Sequence, residues 1–236
     1  MFPTVYYRLA VTRPMKHLLL TTIAAVVLVG CGPSMSIHEA ATDGNIEAVK
    51  QHLDAGAEVN AKNIIARTPL DCAMRHSEIA DLLRKHGGKY GSIHTAAAGG
   101  DTDAVKEFLA DGVDVNAKDE TGRTPLLLVG IDNDLHHVPQ HVLEEIAELL
   151  IAKGADLEAK TNGGHTLLHN AASYNHKGVA ELLIANGADV NARANNLNTP
   201  LDSAISYKRF HSTTETADLL RKHGGKTKKE LKAAGK

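Results

Sequence analysis

At 236 residues the chain is long enough to bury a sizeable core, yet it has no Trp, only 3% aromatic residues and 43% hydrophobic residues overall. That composition suits thin helices stacked closely and disfavours one large globular core. A formal net charge of −2 makes the chain a poor electrostatic partner for nucleic acid.

The first thirty residues read as an export signal. Lys16-His17 precede an apolar run from Leu18 to Val29, too short to span a bilayer comfortably, which ends in Leu28-Val29-Gly30-Cys31. This tetrad resembles the bacterial lipobox, and the resemblance implies cleavage before Cys31, acylation of Cys31 as the new N-terminus, and a short tether over residues 31–35. The alternatives are an uncleaved anchor helix and a stray apolar segment. Met15 is a natural start, which would place residues 1–14 upstream of the true protein. Cleavage removes Arg8, Arg13 and Lys16 and no acidic residue, so the charge moves from −2 to −5. With Cys31 acylated, Cys72 has no disulfide partner, and its place in Leu70-Asp71-Cys72-Ala73-Met74 reads as a small core filler.

From Ser36 onward the pattern is helix, tight turn, helix, extended loop. Its clearest copy runs from Thr161 to Arg193. Thr166 is placed to cap a first helix through its hydroxyl, and Gly187 to end a second in the left-handed conformation. Thr-Pro-Leu recurs at Thr68, Thr124 and Thr199, with Pro at the first helical position. Gly-Ala-Asp-Val-Asn-Ala at Gly187 has counterparts beginning at Gly56, Gly112 and Gly154, and Gly154 to Gly187 spans 33 residues. A period of 33 with these two motifs closely resembles the ankyrin repeat. The expected fold is an all-α ankyrin-repeat solenoid of about six helix-turn-helix repeats with β-hairpin-like loops, over residues 36–226. The repeats read as 36–62, 63–89, 91–118, 119–160, 161–193 and 194–226.

Two blocks are visible within the array. Ser36–Lys62 aligns without gaps on Ser92–Lys118, and Ala80–Lys89 reappears residue for residue as Ala217–Lys226. At the joint between the blocks, Gly87 to Gly112 spans only 25 residues, so a finger loop and a Thr-Pro-Leu start are missing. Either the solenoid continues with a clipped finger, or two short stacks meet at a bend. Continuity is favoured, because two repeats alone bury too little surface. Insertions fall around 132–141 and 208–212, between the helices of their repeats. The tail, residues 227–236, carries Lys228, Lys229, Lys232 and Lys236 and reads as a ragged, solvated basic end, with weak contact to anionic lipid as the alternative.

No nucleophile elbow, phosphate loop or zinc-protease motif is present, so no catalytic residues, cofactor or metal are expected. The single dense ligand cluster is His136, His137 and His141 with Asp132 and Asp134; Pro139 interrupts the helical spacing, and a solvated insertion is the plainer reading. His38, His94 and His169 occupy matching points of the first helices, which repeat architecture explains. The resemblance implies binding of another protein along the fingertips and the ends of the first helices. The candidate contacts are Arg67, Arg75, Glu120, Arg123, His165, Tyr174, Asn198 and Tyr207, with Tyr174 and Tyr207 expected as neighbours one repeat apart. The whole reads as a monomeric, non-enzymatic scaffold lipid-anchored at the bacterial envelope. An immunity-like inhibitor of a toxic enzyme and a metal-binding envelope protein are the alternatives.

Overall fold

A computed structural model describes residues 35–129, 138–208 and 215–235. Among the described residues six helix pairs succeed one another: α1 (Ile37–Thr42) with α2 (Ile46–Asp54), α3 (Pro69–Cys72) with α4 (Ser77–Lys85), and α5 (Ile93–Ala98) with α6 (Thr102–Ala110). Then come α7 (Pro125–Leu128) with α8 (Gln140–Ala152), α9 (Leu167–Ser173) with α10 (Lys177–Ala185), and α11 (Pro200–Lys208) with α12 (Glu215–Lys222). A short helix α13 (Lys228–Ala233) closes the chain, and the described residues contain no strand.

Local chemistry explains why each pair starts and stops where it does. The first helices are opened by Ser or Thr in extended conformation: the Ser36 hydroxyl accepts from Glu39 N–H at 3.2 Å, and Glu39 accepts from Ser36 N–H at 2.7 Å. The Thr68 hydroxyl accepts from Asp71 N–H at 3.3 Å, while Asp71 accepts from Thr68 N–H at 2.8 Å. Each reciprocal box satisfies donors that a helix start leaves open. Second helices run into glycines such as Gly187, whose φ of 92° is a left-handed turn that a side chain would strain.

The helices form two layers. First helices pack in succession, α1 on α3, then α5 on α7, α9 and α11; second helices pack α2 on α4, then α6 on α8, α10 and α12. Small residues let them approach: Ala40, Ala41, Ala96, Ala97, Ala171 and Ala172 are all buried. One apolar core runs from Ile37 to Leu220. It is continuous through the joint, although α3 with α5 and α4 with α6 do not pack as closely as the other neighbours. Tyr90 fills that gap: it is buried, its hydroxyl accepts from Arg84 at 2.9 Å, and it lies against Gly99, where a Cβ would collide with the ring.

A ladder of asparagines ties each loop to the next. Asn60 donates to Gly87 O at 2.9 Å and accepts from Lys89 N–H at 2.6 Å; Asn116 donates to Gly154 O at 3.0 Å and accepts from Asp156 N–H at 2.8 Å. Asn191 repeats this on Gly224 O at 3.2 Å and Lys226 N–H at 2.8 Å. At the fourth rung Glu158 accepts from Asp189 N–H at 2.8 Å but, as a carboxylate, has no donor for the Gly187 carbonyl. Glu158→Asn should therefore add about 1 kcal/mol of stability, read as a raised midpoint in urea with an unchanged slope.

The C-terminal tail departs from its sequence reading. Residues 227–235 are ordered against the last repeat as α13: Thr227 and Glu230 form a reciprocal cap, and Leu231 is buried. Lys228 N–H donates to Asp202 at 2.8 Å, as Gly91 N–H donates to Asp71 at 3.0 Å after the identical decapeptide in the first block. Thus α13 sits on the sixth repeat where α5 sits on the second. Leu231 packs inward while Lys228, bonded to Asp202 and Asn198, and the Arg221–Glu230 pair at 3.7 Å hold the helix on the repeat.

Candidate protein-interaction rim

Four fingers project from the first-helix side, at 63–67, 119–123, 161–165 and 194–198. Each is closed by a main-chain hydrogen bond from its first residue to the carbonyl of its fifth: Asn63 to Arg67, Asp119 to Arg123 and Thr161 to His165 at 2.9 Å, and Ala194 to Asn198 at 3.0 Å. The fourth residue takes a left-handed conformation, which glycine supplies at Gly122 and Gly164. Ala66 (φ 58°) and Leu197 (φ 63°) adopt it as well, at a cost of about 1 to 2 kcal/mol each.

The first residue of a finger braces it from within. The Asn63 side-chain oxygen accepts from Ile65 and Arg67 N–H, both at 3.0 Å. Asp119 accepts from Thr121 and Arg123 N–H, both at 2.9 Å, and its second oxygen takes Arg123 Nε at 2.9 Å and the guanidinium end at 2.8 Å. Burial alone would push the Asp119 carboxyl up; the hydrogen bonds from Arg123 and Thr121 outweigh it and hold the group down at about 2. Neighbouring fingers are linked where Asn195 N–H donates to Gly163 O at 3.0 Å and its side chain to Asn162 O at 2.9 Å.

The sequence-derived candidates divide on this frame. Arg67, Arg75 and Glu120 are exposed. Arg123 is engaged as the strut of its own finger. His165 is half-buried, edge-on to His169 with ring centroids 5.4 Å apart. Asn198 is spoken for twice, its carbonyl accepting from His169 Nε2 at 3.1 Å and its side-chain oxygen from Lys228 Nζ at 2.9 Å. Tyr174 caps α9 and stacks on His176 at 5.9 Å. Tyr207 lies within α11, which runs on to Lys208, so the two tyrosines are not backbone equivalents; the Tyr207 side chain lies outside the described residues.

The rim also carries large apolar residues exposed to solvent. Ile64 is 103% exposed, Ile65 49% and Leu197 56%. Leu197 was missed, although its place 33 residues after Gly164 marked it as the odd one of a series.

Cys31, His136, His137, Asp132 and Asp134 lie outside the described residues, while His141 is exposed in the first turn of α8. Among the described residues no group of three or more His, Cys, Asp or Glu could hold a metal ion, and no helix is long and apolar enough to cross a membrane. Cys72 is half-buried, and burial pushes its thiol up, so a packing role fits it better than a reactive one.

The chain matches the family described as ankyrin repeats (3 copies) over residues 37–119, 93–194 and 135–230. It is 31% identical over 109 residues to cyclin-dependent kinase 4 inhibitor B of Rattus norvegicus, covering 42% of this chain and 84% of that protein. It is 32% identical over 118 residues to a transient receptor potential cation channel subfamily A member 1 homolog of Caenorhabditis elegans, covering 46% of this chain but only 10% of the channel. Over 150 residues it is 31% identical to the nuclear factor NF-kappa-B p105 subunit of Gallus gallus, 58% of this chain and 14% of that protein. The paired helices, the projecting fingers and these matches together place the chain in the ankyrin-repeat family.

Proposed function

We propose that this protein is a non-enzymatic, monomeric scaffold that grips another protein along its finger rim while a lipid on Cys31 holds it to the bacterial envelope. The observation that carries the binding half is Leu197: a large apolar side chain, 56% exposed, on a left-handed residue where glycine would be unstrained. Strain and exposure together bring the fold nothing, which favours a role in contact. The anchoring half is supported by Leu28-Val29-Gly30-Cys31 and by the short distance from it to the first repeat. Four residues beyond Cys31, the Met35 carbonyl accepts from His52 Nε2 at 2.7 Å, so the first repeat takes hold of the chain almost at the lipid.

A narrower reading, inhibition of a partner enzyme, is favoured by the relative named cyclin-dependent kinase 4 inhibitor B, 84% of whose length this chain covers. Repeats of this extent suffice for a protein named as an inhibitor.

Two measurements test the proposal. Cys31→Ser should move the chain from the membrane fraction to the soluble fraction of a bacterial host. Ile64→Asp with Leu197→Asp should lower recovery of cross-linked partner from the envelope by more than about tenfold, roughly 1.4 kcal/mol, with the melting temperature nearly unchanged. Membrane retention of the serine variant, or undiminished recovery with the finger variant, would overturn the corresponding half.

A further inference from the structure

We propose that the joint between the two blocks is a second docking surface, separate from the finger rim, that takes an extended peptide segment carrying lysine or arginine beside an apolar side chain. Second helices touch their neighbours from α2 to α4 and from α6 to α12, and their contact is thinnest between α4 and α6. The opening is a groove of about 310 Å³, floored by Tyr90, Ala104 and Phe108. Its rim bears Asp101, Asp103, Glu107 and Asp111 against the one ammonium of Lys89. It continues past Asp101 and Asp103 into a shallower trough of about 500 Å³ that reaches Val142 and Glu145.

Charge names the occupant. Lys89 meets Glu107 at 3.4 Å, but both side chains are about two-thirds exposed, so the pair is weak and exchangeable. Asp101 spends one oxygen capping α6 on Ala104 N–H at 2.9 Å, and its other oxygen lies 3.9 Å from Arg84. Asp103 in α6 and Asp111 at its C-cap are exposed at the edge of the groove, and the Lys106 ammonium lies 3.8 Å from Asp103 but closer to Glu145, at 3.3 Å. A partner with carboxylates would be repelled here, one with cations attracted, and the aromatic floor would shelter an aliphatic or aromatic neighbour. The groove lies where the finger loop and Thr-Pro-Leu motif are missing between Gly87 and Gly112 and α4 and α6 make little contact.

The test uses the full chain in detergent and a labelled ten-residue peptide of four lysines, four serines and a central Leu-Phe pair, monitored by fluorescence anisotropy. Wild-type protein should bind it with an affinity that falls steeply with salt. The counterpart with glutamate for lysine should bind at least tenfold more weakly. Asp103→Lys with Asp111→Lys, both exposed, should weaken the lysine peptide at least tenfold with an unchanged melting curve, whereas Glu120→Lys on a finger should leave it unaltered. The proposal falls if wild type does not bind, if the folded groove variant binds as wild type does, if both peptides bind alike, or if the finger variant alone loses binding.

Discussion

Tyr90→Ala is expected to cost about 3 to 5 kcal/mol and to turn a single unfolding transition into two. Elsewhere a repeat is held to its neighbour by both helix layers; at this joint those contacts thin, and the buried Tyr90 ring occupies the space between them. Its removal leaves a cavity beside Gly99 and strips Arg84 of the hydroxyl it reaches at 2.9 Å. The polar contacts left across the joint would be few: Gly91 N–H on Asp71 at 3.0 Å, the exposed Lys89–Glu107 pair at 3.4 Å and Arg84 near Asp101 at 3.9 Å. In a one-dimensional array, weakening one interface lets the shorter side unfold alone. Calorimetry should resolve a low-temperature transition, and hydrogen exchange should show α1 to α4 opening first. Tyr90→Phe, losing only the hydroxyl, should keep one transition and lose about 1 kcal/mol. A lone transition in the alanine variant, shifted by a degree or two, would show that the remaining contacts suffice.

The second large effect is a dependence on acidity centred on His169. Its ring is buried at the start of α9, and the carbonyl of Asn198 can only accept, so Nε2 carries the proton. Nδ1 is then the acceptor for Thr166 N–H at 3.2 Å, and a second proton would set it against that donor. Burial first, and the neighbouring His165 and Lys160 charges after it, outweigh the hydrogen bond to Asn198 and lower the ring from 6.5 to about 4. Between those values the unfolded chain takes up a proton that the folded chain refuses. Stability present above pH 6.5 is therefore lost on acidification, by about 3 kcal/mol at pH 4. Denaturant titrations of wild type and His169→Gln at pH 7.5 and pH 4 isolate the contribution. The variant should be less stable at pH 7.5 and decline less on acidification; parallel declines would mean that other groups govern the loss.

What could be read from the sequence was what is decided within a few residues. A Ser or Thr hydroxyl reaches the N–H three residues on, and Gly187 accepts its left-handed turn, whatever lies elsewhere in the chain. The period of 33 then implied stacking, because no repeat can bury its own apolar side. The site was less legible. Arg123 looked like a free fingertip cation, although Asp119 four residues earlier was its partner, and Asn198 looked available although a histidine one repeat away claims its carbonyl. Tyr90 belongs to no motif, and its part emerges only where the missing finger leaves room. The tail misled because Lys228, Lys229 and Lys232 drew attention from Leu231 and from the Thr227–Glu230 cap.

That tail fixes where the array can grow. Since α13 lies in the berth that a seventh module's leading helix would need, appending such a module directly after Lys226 means deleting residues 227–236 first, much as a polymer must shed its terminator before another monomer can add. The same geometry makes Lys226 a natural splice point: Asn191 and Thr199 already hold it, and Asp202 presents the acceptor that an incoming N–H would meet.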